Sequence, residues 1–347
     1  MKNRILIFSL IILNISILIL ISSCERKPKW EYKEGHFSTT PTNFASINTA
    51  YDDYNSALNQ SGETFALCFS SNRKTAGSNF DIVYKFMEIL YDWETRDLYI
   101  GEAKYFNQDL EARSNSLYNA MRKINTTSDE YGPFMLPLGT KENPGNQYWG
   151  IYYANLFLYS NDESGNQDIR FVDNQDQEDY LDSKPIKFLN TQFDDAYPSF
   201  NQEDSGLYFC SNRLGKFDIF FANVDFSSKN WTEIFSDTIH KTIQKMETLS
   251  SNYEDKCPFI LGNTMVFTSN RLGGFGGYDL YYSKFENGLW SKPTNFGSKI
   301  NTSADEYRPV IRREEGFDND FMIFSSNRQG GKGGFDLYYV GVDKIPY

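Results

Sequence analysis

Histidine is nearly missing from this 347-residue chain and cysteine is scarce, with two His and four Cys. His36 stands near an N-terminal tether and His240 in a stretch that reads as a surface helix. No Gly-x-Ser-x-Gly elbow accompanies either, so a histidine-activated nucleophile has no constellation to work from. Four Cys are too few to staple a scaffold of this length. Cys68, Cys210 and Cys257 fall in predicted strands, where a small buried thiol is the default. Three such residues leave one over from any pairing, and metal-ligand spacing is absent. Positive charge is also short, at 34 Lys and Arg against 46 Asp and Glu. The resulting net charge of -12 repels phosphate backbones and excludes nucleic acid as a partner. No Gly-Lys-Ser/Thr follows the glycine runs, so they form no phosphate cradle. No Asp-x-Asp-x-Asp-Gly loop is present, and neither metal nor cofactor is expected.

Long apolar runs are confined to the N-terminus. Lys2 and Arg4 precede an apolar stretch from Ile5 to Ile21, and Ile21-Ser22-Ser23-Cys24 has the form of a bacterial lipobox. An uncleaved anchor is the alternative, since the run approaches spanning length. The small residues before Cys24 favour lipidation of Cys24, after a signal peptide spanning 1–23. Residues 24–36 then form a lipidated tether, and the mature charge becomes about -14 without Lys2 and Arg4. The expected location is the outer membrane, with the folded part facing the periplasm or, alternatively, the cell surface.

What the chain has in plenty is aromatic residues, 24 Tyr and 29 Phe, and a phrase that repeats. Thr268-Ser269-Asn270-Arg271 leads through Gly273-Gly274 and Gly276-Gly277 to Asp279-Leu280-Tyr281-Tyr282. It returns as Ser326-Asn327-Arg328 through Asp336-Leu337-Tyr338-Tyr339. Shorter relatives run from Arg213 to Asp218 and from Arg73 to Asp81. A further copy at Ser160-Asn161-Asp162 lacks the Arg. Each copy follows an Asn-Thr-like turn and an acidic pair: Asp52 and Asp53, Asp129 and Glu130, Asp194 and Asp195, Glu254 and Asp255, Asp305 and Glu306. In the fourth unit that turn is read as Ser251-Asn252.

Each unit reads as four antiparallel strands, which is one blade of a β-propeller. The fifth unit has no fourth strand of its own. Pro41-Thr42-Asn43-Phe44 matches Pro293-Thr294-Asn295-Phe296, so an N-terminal strand is expected to complete the last blade and close the ring. The expectation is an all-β propeller of five blades, with six as the alternative, over 37–347. Helical spacing marks two insertions, Tyr105–Lys123 and Asp237–Leu249. Strand alternation puts both on the face of the acidic pairs and puts the Leu138–Ala154 insertion on the opposite face.

This pattern of acidic pair, Pro, aromatic strand, Ser-Asn-Arg, Gly-rich turn and Asp-Leu-Tyr-Tyr resembles the WD40-like repeat called PD40, found in TolB-type propellers and envelope proteins of Bacteroidetes-like bacteria. The resemblance covers residues 37–347. It implies a non-catalytic scaffold that binds an envelope protein, with membrane attachment through the N-terminal lipid. The alternative is a glycan-binding or glycan-cleaving propeller, in which two channel-mouth carboxylates flank the bond. No sialidase-type Ser-x-Asp-x-Gly-x-Thr-Trp box supports it.

The repeated Arg73 and Asp81, Arg213 and Asp218, Arg271 and Asp279, Arg328 and Asp336 read either as a ligand-grasping ring or as structural pairs. In the structural reading the Asp holds its turn and the Arg bridges to an acidic pair. The acids at the channel mouth read as structural or as a cation site. A partner surface is expected on the helical insertions, including Leu117 and Met121, and on Tyr148, Trp149, Tyr152 and Tyr153.

Overall fold

The computed structural model describes residues 34–58, 64–142, 151–200 and 206–344. The chain divides into two units, Met1–Glu34 and Gly35–Tyr347. Cys24 and most of its tether, together with Tyr148 and Trp149, lie outside the described residues.

The second unit is an all-β propeller of five blades. A short strand β1 (Thr42–Asn43) comes first. Blade one is β2 (Asp53–Leu58), β3 (Thr64–Ser71), β4 (Asp81–Tyr91) and β5 (Leu98–Glu102). Blade two is β6 (Glu130–Glu142), β7 (Ile151–Asn161), β8 (Asp168–Asp173) and β9 (Lys184–Pro185). Blade three is β10 (Asp195–Ser199), β11 (Gly206–Ser211), β12 (Asp218–Asn223) and β13 (Ile243–Lys245). Blade four is β14 (Asp255–Leu261), β15 (Thr264–Ser269) and β16 (Asp279–Glu286), with β17 (Leu289–Trp290) and β18 (Thr294–Asn295) both on the outer side of β16. Blade five is β19 (Glu306–Arg312), β20 (Asn319–Ser326) and β21 (Asp336–Asp343).

β1 supplies the missing outer strand of blade five, with Thr42 opposite Tyr339 and Asn43 opposite Tyr338. Asn48 fastens the closure, because its side chain donates to Leu337 O and accepts from Leu337 N, each over 2.9 Å. Ring closure removes the sheet edges that an open array would expose. The second strands β11, β15 and β20 are buried throughout, since a neighbouring blade covers each of their faces. The apolar core therefore lies between blades, as where Phe65, Phe69, Phe321 and Phe324 form one cluster.

Two α-helices among the described residues interrupt this pattern. The helix α1 (Gln108–Ile124) is capped by Asn107, whose side chain accepts from Leu110 N over 2.9 Å. The helix α2 (Trp231–Ser236) is short. The expected helix at Asp237–Leu249 is not formed, and Ile243–Lys245 is instead strand β13. Thr238, Ile239, Thr242 and Ile243 are β-branched and weak helix formers, and β12 has an outer edge to be paired. His240 is accordingly in irregular chain.

The placement of α1 also differs from expectation. β5 pairs only with the far half of β4, Met87–Tyr91. The helix then runs back along the near half, in the place of the missing outer strand. Its C-terminal neighbour Asn125 bonds both ways with Ile82 at 2.8 and 2.9 Å, and the Tyr84 hydroxyl reaches Ser114 O at 3.1 Å. α1 thus spans the flank between blades one and two rather than projecting from the acidic-pair face.

Candidate functional site

Each blade's first strand opens on the second acid of its pair, and these five acids, Asp53, Glu130, Asp195, Asp255 and Glu306, are fully buried. Asp53 shows the common arrangement. It accepts from Thr49 N at 2.6 Å, Thr49 Oγ1 at 2.9 Å and Ser71 Oγ at 2.5 Å, and pairs with Arg73 at 2.6 Å. Arg213 meets Asp195, Arg271 meets Asp255 and Arg328 meets Glu306 in the same way. Each arginine also donates to a backbone carbonyl in the loop before its own first strand, as Arg328 does to Ile300 O at 2.8 Å. In unit four the turn residues equivalent to Asn-Thr are Ser250 and Ser251, one residue earlier than the sequence alignment placed them. Ser251 N and Oγ are the groups that meet Asp255.

The loop aspartates do not pair with these arginines. Asp279 accepts from Phe275 N at 2.6 Å and Gly276 N at 3.1 Å, and Asp336 holds Lys332 and Gly333 N likewise. Asp81 lies 3.5 Å from Lys74, and Asp218 contacts Lys216. The glycines answer a steric need as well as a turn: a Cβ at Gly276 would stand 2.2 Å from Ala304 O in the next blade.

The first acids are inter-blade latches. Asp52 accepts from Phe335 N, Asp129 from Phe80 N, Asp194 from Gln167 N and Asp305 from Tyr278 N, at 2.7 to 2.9 Å. Glu254 departs from this, contacting the Tyr278 hydroxyl and pairing with Lys256 at 2.8 Å. Around them Tyr54, Phe80, Tyr131 and Phe335 form a half-buried aromatic cover, with centroids 4.9 Å apart for Tyr54 and Phe80. The acids expected at the channel mouth are therefore committed to the fold, five of them beneath the surface.

Glu130 is the one buried second acid that no arginine reaches among the described residues. It accepts from Thr126 Oγ1 at 2.7 Å and Asn161 Nδ2 at 3.0 Å, and its Oε2 has no partner. Burial pushes its carboxyl up to about 7, against the opposing pull of the Thr126 and Asn161 hydrogen bonds. Such a carboxyl exchanges its proton near neutral pH, but it has no exposed surface from which to reach a substrate.

An open cavity lies elsewhere, on the opposite side, between blades one and two. It measures about 620 Å³ and is lined by Glu88 and Phe86 from β4, Tyr105, Asp109 and Arg113 from the α1 segment, and Tyr153 from β7. The α1 segment and the Leu138–Ala154 hairpin, expected on opposite faces, meet here. The Tyr153 hydroxyl contacts Asp109, and the Arg113 guanidinium lies over the Tyr153 ring at 5.0 Å. Ser116 Oγ donates to Tyr153 O at 2.8 Å, and Arg113 pairs with Asp109 at 3.2 Å. Glu88 is buried and accepts from Lys104 N at 3.2 Å. Tyr105 stands open to solvent, 82% exposed.

Three residues expected on a partner surface are not on one. Leu117 and Met121 face inward, in a cluster with Phe157, Tyr159 and Val172, and Tyr152 is buried with its hydroxyl on Gln175 O at 3.1 Å. The same helical spacing that marked the α1 residues is what turns them toward blade two. The sequence marks Glu88 only weakly, as one acid inside the apolar run Phe86-Met87-Glu88-Ile89-Leu90. An isolated charge in a strand buried on both sides was its only signal.

No protein-family model and no curated protein matches this sequence. Solved structures do. A thermostable family-43 glycoside hydrolase is 10% identical with a TM-score of 0.50, over 88% of this chain and 94% of that one. The catalytic domain of a GH62 α-L-arabinofuranosidase from Coprinopsis cinerea is 8% identical, with a TM-score of 0.48 over 89% and 97%. The α-L-arabinofuranosidase PaAbf62A from Podospora anserina, solved with cellotriose, is 9% identical, with a TM-score of 0.46 over 90% and 98%. At these identities the likeness establishes the five-bladed fold. It also corrects the sequence reading. The resemblance to PD40 and TolB-type propellers is not upheld, because no family model matches and the family-43 glycoside hydrolase shares the fold. The non-catalytic scaffold and the conclusion that the chain is no enzyme fall with it.

Proposed function

We propose that this chain binds and cleaves glycans, with the cleft between blades one and two as the sugar site. One observation carries the reading: a single cavity of about 620 Å³ that brings two carboxylates, Glu88 and Asp109, together with the rings of Tyr105 and Tyr153. A sugar offers apolar C–H faces and a rim of hydroxyls, and such walls meet both. Glycoside hydrolysis needs two carboxylates, one to protonate the leaving oxygen and one to activate water or attack the anomeric carbon. Glu88 comes to the cavity from β4, buried and accepting from Lys104 N. Asp109 comes to it from α1, paired with Arg113 and in contact with the Tyr153 hydroxyl. The fold shared with the family-43 enzyme supports the substrate class by analogy.

The test is hydrolysis of aryl α-L-arabinofuranosides, β-D-xylosides and β-D-galactosides, with binding of the matching oligosaccharides measured by calorimetry. Glu88→Gln should abolish turnover while leaving binding, and Tyr105→Ala should weaken binding. A folded wild type that neither binds nor cleaves any of these sugars overturns the reading.

We also propose that Cys24 carries lipid and tethers the propeller to the outer membrane, on the support of the Ile21-Ser22-Ser23-Cys24 sequence. Mass spectrometry of the mature N-terminus tests it, and an unmodified Cys24 in a membrane fraction would refute it.

A further inference from the structure

Every first strand carries a bulge just after its acidic pair. At each bulge one residue takes a left-handed backbone: Asn55, Gly132, Tyr197, Cys257 and Arg308, with φ between 48 and 58°. The first strands are the innermost, so these five positions ring the central channel. Serine or threonine hydroxyls of the preceding blade take three of the bulge amides: Ser325 for Asn55, Ser160 for Tyr197 and Thr268 for Arg308. The ring belongs to the fold, but its occupants differ in chemistry.

Arg308 is the member that the fold does not explain. It belongs to blade five, whose neighbours are blades four and one. Yet its Nη2 donates to Pro133 O of blade two at 3.0 Å, and its guanidinium lies 5.4 Å from the ring of Tyr197 in blade three. The side chain therefore crosses the channel axis, fully buried. Among the described residues its Nε and Nη1 meet no acceptor, and Asn55 Oδ1 also lacks a partner. The Asn55 amide is 3.5 Å from the Tyr197 hydroxyl and can rotate to offer either end.

No carboxylate neutralises this charge among the described residues. The nearby acidic groups are Cys210, Cys257, Tyr197 and Tyr307. Burial pushes the Cys257 thiol up to about 12 and raises the other three as well, so all are uncharged at neutral pH. An unpaired charge in such a place costs several kcal/mol. Water would satisfy the free N–H groups but leave the charge uncompensated. We propose that the central channel holds one small monovalent anion, of halide size, chelated by Nε and Nη1 of Arg308 with Tyr197 and Asn55 completing its shell. The site is apart from the proposed sugar cleft and does not depend on it.

Thermal and urea unfolding of the full-length protein in sodium bromide, against sodium gluconate at equal ionic strength, reads the site in solution. At bromide a hundredfold above its dissociation constant, the unfolding equilibrium constant should fall about 100-fold. Arg308→Met should lose that dependence. Bromide-soaked wild-type crystals should show an anomalous peak at hydrogen-bonding distance from the guanidinium, a readout that stands even if Arg308→Met does not fold. Stability indifferent to halide, together with water or no density at that position, overturns the proposal.

Discussion

Asn161 Nδ2 donates to Glu130 over 3.0 Å, whereas each of the other four blades sets an arginine against its buried acid. Blade two has exchanged an ion pair for a hydrogen-bonded acid whose carboxyl burial raises to about 7. By strand register Glu163 occupies the position of the arginine, Asn161 that of the serine, and Asp162 does the work of the asparagine, accepting from Asp129 N at 2.9 Å.

This exchange makes stability depend on pH with a definite sign. Glu130 has a folded pKa of about 7, above its ordinary 4.5. Its contribution to stability is full below the ordinary value and is lost as pH rises through about 7. The loss is on the order of 3 kcal/mol. Glu130→Gln should flatten urea stability between pH 5 and about 8, relative to wild type. An unchanged pH profile would show that Glu130 is ionised when folded.

Removing an arginine elsewhere should cost more than losing a surface charge. Arg73→Ala leaves Asp53 buried without its counter-ion and should destabilise by about 3–5 kcal/mol in chemical denaturation. The paired change Arg73→Met with Asp53→Asn should recover part of that loss. A loss below about 1 kcal/mol for Arg73→Ala would place the pair among surface ion pairs.

Leu117 lies in the inter-blade core at 3% exposure. Leu117→Ala should cost about 2–5 kcal/mol through the cavity it leaves. Leu117 also lines the cavity, so oligosaccharide affinity should weaken as well, and calorimetry on the folded fraction separates that from lost stability.

Closure through Asn48 should be separable from the rest of the ring. Asn48→Ala leaves the Leu337 N–H and C=O without their partners and should lower stability by about 2 kcal/mol. Hydrogen exchange should rise first in β21 and β1. Protection unchanged in those strands would mean that the closure does not rest on Asn48.

The repeated phrase carried the fold into plain view because identical local needs recur in each blade. The Thr49, Thr191 and Thr302 turns, the Ser-Asn-Arg ends and the Asp-Leu-Tyr-Tyr starts each do one job at one position. The Pro41-Thr42-Asn43-Phe44 match revealed the closure for the same reason. Local periodicity also found α1, whose Leu110, Leu117 and Met121 stripe is truly helical. It could not tell that this stripe faces blade two, since a buried face and a docking face have the same spacing. At Asp237–Leu249 it misled, because an unpaired strand edge outweighed a weak helical pattern.

By itself the sequence determined a five-bladed propeller closed by its own N-terminal strand, since each blade is specified by short-range turns, caps and alternation. Only the tertiary structure decided where chemistry can occur. It buried the second acid of four pairs against Arg73, Arg213, Arg271 and Arg328. It joined α1 to the β6–β7 hairpin around one cavity. It also carried Arg308 across the channel to Pro133, 175 residues away. Those contacts join residues from different blades, and no pattern within a single repeat encodes which residue of another blade it will meet.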